Sequence, residues 1–253
     1  MSAILHSNDK QPTSDAIVNL DGRQLTSIPS WINALPHLCA LSLYNNQLNS
    51  IPNWLWNLRN LQILNLSANR LSALSKDIGT LTNLHMLDLG HNRLPHMPES
   101  IGNLRQLQFL YLSNNQLADL PSSFADLTSL RYLNLTHNQF TILPDSLGHL
   151  TSLTELRLYH NQLTNLPATL GQLGNLIGLH LNQNQLQALP ITIGRLQNLR
   201  SLNLQDNALA ALPSAVGALG CLTELNLRNN RLAWLPTSMG NLRNLQLGIH
   251  AAQ

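Results

Sequence analysis

Residues 107–129 read LQFLYLSNNQLADLPSSFADLTS, and a unit of this length and pattern repeats along the chain without insertion or deletion. Numbered from its first residue, the unit has leucine at places 1, 4 and 6 and asparagine at place 9. The place 1 leucines are Leu38, Leu61, Leu84, Leu107, Leu130, Leu153, Leu176, Leu199, Leu222 and Leu245, each 23 residues after the last. A fixed period of this size predicts a stack of similar turns, none of which can bury its apolar face alone.

Each turn combines a strand pattern with a helical-turn pattern. Leucines at places 1, 4 and 6 alternate with polar or variable residues, which predicts a short strand. Successive strands would run parallel, because the chain always returns to the same edge of the stack. Proline at place 15 suits the first position of a short helical segment, where its missing N–H costs no hydrogen bond. The predicted fold is an α/β solenoid (horseshoe) with a concave parallel β-sheet and a convex side of short 3₁₀ or helical turns.

The asparagine at place 9 stands where the strand would turn away from the sheet. Its amide group offers two donors and one acceptor, enough to pair the backbone groups that a bend leaves open. Aligned from turn to turn, these side chains would form a structural ladder through the whole stack. The predicted ladder consists of Asn46, Asn69, Asn92, Asn115, Asn138, Asn161, Asn184, Asn207 and Asn230.

The repeat also divides the chain into parts. Residues 1–14 are predicted to be flexible, and residues 15–253 to form a single repeat domain. Within that domain, 15–37 read as an N-terminal cap repeat, 38–244 as nine 23-residue repeats and 245–253 as a partial terminal repeat. The weak pattern after Leu245 leaves three readings open: truncation of a longer protein, an improvised cap, or end-to-end packing of two copies. The chain is therefore expected to be a monomer or an end-to-end dimer.

Composition points away from several partners. Only 10% of the residues are charged and the formal net charge is +2, which favours neither nucleic acid nor an anionic membrane. Cys39 and Cys221 are eight turns apart, so their sulfur atoms would be too distant for a disulfide. The first ten residues lack the apolar run of a signal peptide, and no stretch approaches a membrane span. A reducing, cytoplasmic setting is predicted, or delivery into a host cell if the protein is a bacterial effector.

Candidate binding residues lie at places that the core does not dictate. Places 3, 5, 7 and 8 are predicted to stand off the inner sheet, and all four tyrosines of the chain lie there. Exposed aromatic and methionine clusters rimmed by polar groups are typical of binding surfaces. The alternative is structural, because aromatic residues also favour strands and stabilise neighbouring strands. The predicted partner-binding residues are Met86, His91, Phe109, Tyr111, Tyr132, His137, Glu155, Arg157, Tyr159 and His160.

No catalytic constellation emerges from the same columns. His137 and His160 would be neighbours, but a zinc site needs three or four ligands and no carboxylate stands beside them. Asp88 and Glu155 would be about 14 Å apart, too far for a pair of hydrolytic carboxylates. No glycine-rich phosphate loop precedes a helix. We therefore expect a non-enzyme without metal or cofactor.

Residues 84–106, LHMLDLGHNRLPHMPESIGNLRQ, resemble the intracellular 23-residue class of leucine-rich repeat (LRR) proteins. That class includes Ras-group LRR scaffolds, the LRR region of Roco proteins and LRR effectors of Gram-negative pathogens. The resemblance covers about residues 15–245. It implies a non-catalytic module that binds a partner protein in signalling or host interaction. As an alternative it implies the substrate-recognition part of a bacterial effector of the ubiquitin-ligase type, whose catalytic domain these 253 residues do not contain.

Overall fold

The predicted solenoid is confirmed by a computed structural model that describes residues 3–5 and 16–245. Its eleven strands form one parallel sheet, in which every strand pairs with the strands next to it in sequence. One strand per turn accounts for ten of them, and the first strand, at residues 3–5, adds an eleventh at the N-terminal edge. In sequence order the strands are β1 Ala3–Leu5, β2 Ala16–Asn19, β3 Leu38–Ser42, β4 Ile63–Asn65, β5 Met86–Asp88, β6 Phe109–Tyr111, β7 Tyr132–Asn134, β8 Glu155–Arg157, β9 Gly178–His180, β10 Ser201–Asn203 and β11 Glu224–Asn226.

Pairing between strands keeps the repeat in register. Residues 23 apart face each other, as Met86 does Phe109 and Phe109 does Tyr132. From β4 onwards each strand covers places 3 to 5 only, which is shorter than the leucine pattern predicts. The leucines at places 1 and 6 lie just outside the strands, yet they are fully buried beside the place 4 leucines. The core is therefore a column of stacked leucines behind the sheet.

The convex side consists of one short 3₁₀ helix per turn, as predicted. The 3₁₀ helices are Ser30–Ala34, Asn53–Asn57, Lys76–Thr80, Glu99–Asn103, Ser122–Asp126, Asp145–His149, Ala168–Gln172, Ile191–Arg195, Ser214–Ala218 and Thr237–Asn241.

Proline at place 15 lies one residue earlier than predicted. It precedes the 3₁₀ helix in an extended conformation, and its carbonyl oxygen accepts the first N–H of the turn, as Pro144 does from Leu147. Ser75 replaces proline in one turn, and there its hydroxyl accepts the N–H of Asp77. The prediction that proline occupies the first helical position was wrong. Its carbonyl oxygen is the acceptor that closes the turn, which places the proline just before the helix.

Glycine at place 19 lets neighbouring convex turns approach closely. A Cβ atom on Gly148 would lie 2.5 Å from the carbonyl oxygen of Thr169 in the next turn. The same contact recurs at Gly102 and Gly171, with 2.5 Å in both cases. These glycines therefore serve packing between turns.

The asparagine at place 9 joins three backbone groups. In the turn of Asn138, the side-chain NH₂ donates to the carbonyl oxygens of Leu112 (2.9 Å) and Leu135 (3.1 Å), one in each of two turns. Its carbonyl oxygen accepts the N–H of Leu117 in the preceding turn at 3.0 Å. All nine asparagines of the predicted ladder make this set of bonds.

Both ends of the stack are described only in part. The predicted flexibility of residues 1–14 falls on a segment of which only β1 is described, and β1 pairs with β2. The predicted terminal repeat beyond residue 245 lies outside the described residues. Within residues 3–5 and 16–245, no helix is long and apolar enough to cross a membrane.

Replacing Asn138 with alanine should lower the free energy of unfolding by about 1–3 kcal/mol, because the backbone groups it pairs are left buried without partners. The control is Asn165→Ala, at an exposed asparagine that bonds only to Thr164, and it should change stability by less than about 0.5 kcal/mol. Urea unfolding of both variants measures the difference. Equal effects would mean that the ladder contributes nothing specific.

Candidate partner-binding surface

The concave surface is formed chiefly by side chains at places 3 and 5. Place 7, which was predicted to stand off the sheet as well, is divided: Ser67, Gly90 and Thr136 are buried, whereas the other six of its nine residues are half-buried or exposed. Ser113 at the same place is half-buried, and the larger Tyr44 is exposed. Place 7 therefore contributes to the surface in most turns but not in all of them.

Place 8 lies in a left-handed turn at the rim of the sheet. All nine non-glycine residues there have φ between 53° and 56°, and the remaining residue, Gly22, has φ 67°. Asparagine, aspartate and histidine adopt this conformation more readily than most side chains. The histidines His91, His137 and His160 are thus explained in part by the backbone, which weakens the purely functional interpretation of this column.

Apolar side chains form a continuous strip across the N-terminal half of the concave surface. Met86, Phe109 and Tyr132 face each other in register at place 3, and Ile63 extends the row by one strand. Ile63 is 41% exposed and Phe109 39% exposed, so the row forms a contiguous apolar patch on the surface. We call these four residues, together with Tyr111, the concave patch. The sequence analysis did not select Ile63, although its place 3 position was the signal for it.

The concave patch continues into a polar cluster formed by Glu155, Arg157 and His180. The rings of Tyr111 and Tyr132 are 4.9 Å apart, and the Arg157 guanidinium carbon lies 5.4 Å from the centre of the Tyr132 ring. Such a distance allows a cation–π contact. Arg157 Nε in turn bonds Glu155 Oε1 at 3.0 Å. The chain of contacts therefore runs from two aromatic rings through a cation to a carboxylate.

Glu155 connects two nitrogen-bearing side chains, those of Arg157 and His180. Its Oε1 atom is 3.0 Å from both Arg157 Nε and His180 Nε2. The rest of the carboxylate lies over Gly178, where a Cβ atom would collide with it. Sequence reasoning missed His180. A glutamate followed 23 residues later by a glycine is the signal that its carboxylate can reach the next strand.

Most residues at place 5 have a structural task. Their side-chain oxygen accepts the N–H two residues further on, which closes the strand end, as in Asn65, Asp88, Asn134, Asn203 and Asn226. This role, which sequence reasoning also missed, explains the recurrence of asparagine and aspartate at place 5.

Tyr111, Arg157 and His180 break this pattern. The N–H groups that an asparagine would have paired belong to Ser113, Tyr159 and Asn182, and none of the three has an acceptor among the described residues. The fold gives up a hydrogen bond in these three turns, so core or backbone demands do not account for the side chains placed there.

The predicted rim histidines form a separate stack. The rings of His137 and His160 are nearly parallel with their centres 4.1 Å apart, and Tyr159 meets the edge of both at 5.7 Å. His91 lies apart from this stack, with 3.3 Å between its Nε2 atom and Asn114 Nδ2. In the described part of the chain, no group of three or more histidine, cysteine, aspartate or glutamate residues could hold a metal ion.

Burial shifts the pKa values of several groups on this surface. It lowers the pKa of His137, and the charges of His160 and His91 lower it further. Burial raises the pKa of Tyr111 and Tyr132, and likewise that of Asp88, against the opposing hydrogen bond from Gly90. Near neutral pH, His137 is therefore held in its uncharged form and the two tyrosines keep their hydroxyl protons.

We expect the titration midpoint of His137 to lie below about pH 6.5 and to rise in His160→Asn, which removes a neighbouring ring and its charge. Because the folded-state pKa is depressed, the contribution of His137 to stability is full above the unfolded pKa and falls as the pH drops toward the folded value. NMR titration of the ring protons measures the midpoint. His149→Asn, in a convex 3₁₀ helix, serves as the control and should leave it unchanged. An unshifted midpoint in His160→Asn would show that the stacked pair is not coupled.

Family models described as leucine-rich repeats match most of the chain. A model described as "Leucine-rich repeat region" matches residues 45–131 and 122–198, and two further repeat models match residues 16–71 and 221–242. Only repeats are matched, and such repeats are generally non-catalytic. No curated protein matches the sequence significantly.

Solved structures resemble the whole solenoid. An LRR protein of Leptospira interrogans is 33% identical with a TM-score of 0.74, covering 95% of this chain and 73% of its own. The ectodomain of the Arabidopsis thaliana receptor kinase GASSHO1/SCHENGEN3, in complex with CASPARIAN STRIP INTEGRITY FACTOR 2, is 33% identical with a TM-score of 0.77. A plant peptide hormone receptor, RGFR1, in complex with RGF2, is 26% identical with a TM-score of 0.67. These two similarities cover 92% and 93% of this chain but only 32% and 47% of the receptor chains.

Proposed function

Because this chain belongs to the leucine-rich repeat family, we propose that it is a non-catalytic protein-interaction module that binds a partner protein on its concave face. LRR domains are typically protein-binding modules. The resemblance to the intracellular 23-residue class favours a role in signalling or host interaction. The identity of the partner is a separate question from the surface that binds it.

One observation carries this proposal. The concave patch joins exposed apolar side chains to a cation held in place by Tyr132 and Glu155, and the fold does not require these residues at their positions. Aromatic and arginine side chains are the types most enriched at the energetic centres of protein interfaces. Patches of this composition on a concave face offer a large contact area with few side chains that must be ordered on binding.

Two structural neighbours support the proposal. The Arabidopsis ectodomain was solved in complex with CASPARIAN STRIP INTEGRITY FACTOR 2, and RGFR1 in complex with RGF2. Both complexes involve a polypeptide bound by an LRR domain whose fold this chain shares. Neither neighbour is covered over half its length, so the analogy concerns the scaffold and not a particular ligand.

Phe109→Ala together with Tyr132→Ala should remove partner binding and leave the melting temperature nearly unchanged, because both side chains lie off the core. The matched control combines Ile142→Ala with Ile191→Ala, two apolar side chains that are 65% and 74% exposed away from the concave sheet. Affinity capture from cell extract with quantitative mass spectrometry compares both variants with the wild type.

A protein retained by the wild type and the control but lost by the concave variant supports the proposal. Equal retention by all three forms contradicts it. A large fall in melting temperature in the concave variant would instead favour the structural alternative, in which the aromatic row stabilises the sheet.

We further propose a reducing, cytoplasmic setting, or delivery into a host cell as part of a bacterial effector. Similarity to the Leptospira protein is compatible with the effector alternative, in which this chain would recognise the substrate of a ubiquitin-ligase-type enzyme. Cys39 lies in β3 and Cys221 just before β11, so eight strand spacings separate them.

Thiol labelling of protein isolated without reductant should find both cysteines reduced, as expected in a reducing compartment. Exposed Cys221 is the more informative of the two, since it can react with a second molecule. A stable disulfide-linked dimer through Cys221 in the native source would contradict the proposed compartment.

A further inference from the structure

A second surface, distinct from the concave face, carries arginine residues but no acidic residues. It is formed by places 22, 23 and 2 of each turn, the residues that lead into each strand, and we call it the strand-entry flank. No aspartate or glutamate occupies any of these places between residues 36 and 245, although ten acidic residues lie elsewhere between 16 and 245. Five of the twelve arginines are found on it: Arg59, Arg105, Arg131, Arg200 and Arg243.

A shallow groove of about 460 Å³ crosses this flank, with Arg131 and Arg200 both in its lining. Both side chains are exposed, and neither makes an ion pair or side-chain hydrogen bond with the described residues. Arg157, by contrast, is bonded to Glu155. Ile177, 43% exposed, lies between the two arginines. The groove thus presents two arginine side chains that have no ion-pair partner among the described residues, with the apolar Ile177 between them.

We propose that this groove binds an extended segment of a protein partner with acidic residues at positions i and i+4 and an apolar residue at i+2. The acidic side chains pair with Arg131 and Arg200, and the apolar side chain covers Ile177. This is a binding site additional to the concave patch, and it does not depend on the function proposed for that patch.

The spacing of the arginines sets the pattern of the segment. Arg131 immediately precedes β7 and Arg200 immediately precedes β10, so three strand spacings, about 14 Å, separate them. In an extended peptide, residues i and i+4 are about 13 Å apart, and residues i, i+2 and i+4 point to the same side. Five residues therefore reach from one arginine to the other, with the middle side chain directed between Thr154 and Ile177, where it can contact Ile177.

Two asparagines that line the groove can form hydrogen bonds with the backbone of such a segment. Asn175 and Asn198 each donate one N–H of their side-chain amide to a carbonyl of the preceding turn, Thr151 at 2.9 Å and Gly174 at 2.8 Å. Their amide oxygens have no donor among the described residues, so each can accept an N–H from a bound peptide. A peptide chain offers such N–H groups at regular intervals, which a phosphodiester backbone does not.

Charge density also favours an acidic peptide over nucleic acid. A nucleic-acid site follows closely spaced phosphates with a dense row of cations. Here the places between the two arginines hold Thr154 and the apolar Ile177. Two cations about 14 Å apart with an apolar residue between them match the spacing of carboxylates on an extended peptide better than that of neighbouring phosphates.

The test uses the peptide Gly-Glu-Thr-Leu-Thr-Glu-Gly, acetylated and amidated, titrated to millimolar concentration and observed by NMR. The Ile177 methyl group and the Nε–H groups of Arg131 and Arg200 should shift together and reach saturation. The double variant Arg131→Glu with Arg200→Glu should weaken binding by about tenfold or more, since it removes two exposed ion pairs of ordinary strength.

Two controls separate the site from general electrostatic attraction. Arg70→Glu with Arg93→Glu makes the same charge change at place 10, outside the strand-entry flank, and should weaken binding far less. A peptide with lysine in place of both glutamates should bind the Arg131→Glu and Arg200→Glu variant but not the wild type. The isomeric peptide Gly-Glu-Glu-Leu-Thr-Thr-Gly, with adjacent acids, should bind more weakly than the first.

Three results would overturn the proposal. Absence of a saturable shift at Ile177 would show that the groove does not take the peptide. Equal losses in the two double variants, or equal binding of the isomeric peptide, would reduce the effect to net charge. Tighter binding of single-stranded oligothymidylate at the same three residues would assign the flank to nucleic acid. Because none of these measurements involves the concave patch, failure here would leave the proposed concave-face function untouched.

Discussion

The side-chain amide of the place 9 asparagine is the contact on which the rest of the structure depends. It pairs backbone groups in its own turn and in the turn before it, with donor–acceptor distances near 3.0 Å throughout the stack. Because the paired groups are buried, no water can replace the amide. Each turn is thereby fixed in height and register relative to its neighbour, and the leucines at places 1, 4 and 6 can stack into one continuous core.

In a scaffold held this tightly, the fold dictates the residue type at most places. Function is therefore best recognised at places where the residue departs from what the fold prefers. At place 5 the fold prefers an asparagine or aspartate that closes the strand end. Tyr111, which belongs to the concave patch, and Arg157 and His180, in the next two turns beyond it, depart from that preference. The strand-entry flank shows a different kind of departure, because acidic residues are absent from it over the whole stack. The concave face is marked by backbone N–H groups that lack a side-chain acceptor at place 5, and the strand-entry flank is marked by arginines without acidic residues.

Three details were placed incorrectly or missed by sequence reasoning. Proline at place 15 was expected inside the 3₁₀ helix, and it lies just before it because its carbonyl closes the turn. Place 7 was expected at the surface in every turn, yet Ser67 and Thr136 are buried. His180 was not selected at all, although it bonds Glu155 from the adjacent strand. The contact of His180 with Glu155 depends on a residue in the neighbouring turn, whereas the position of the proline depends on a hydrogen bond within its own turn.

The sequence by itself determined the repeat length, the parallel order of the strands, the leucine core and the asparagines that join the turns. Periodicity is sufficient for these features because every turn must bury the same face against the next. Only the tertiary structure decided which surface side chains meet: the stacking of His137 on His160, the contact of Arg157 with Tyr132, and the groove between Arg131 and Arg200. Those contacts join residues of different turns and depend on rotamers, side-chain length and the left-handed bend at place 8, none of which a period of 23 residues specifies.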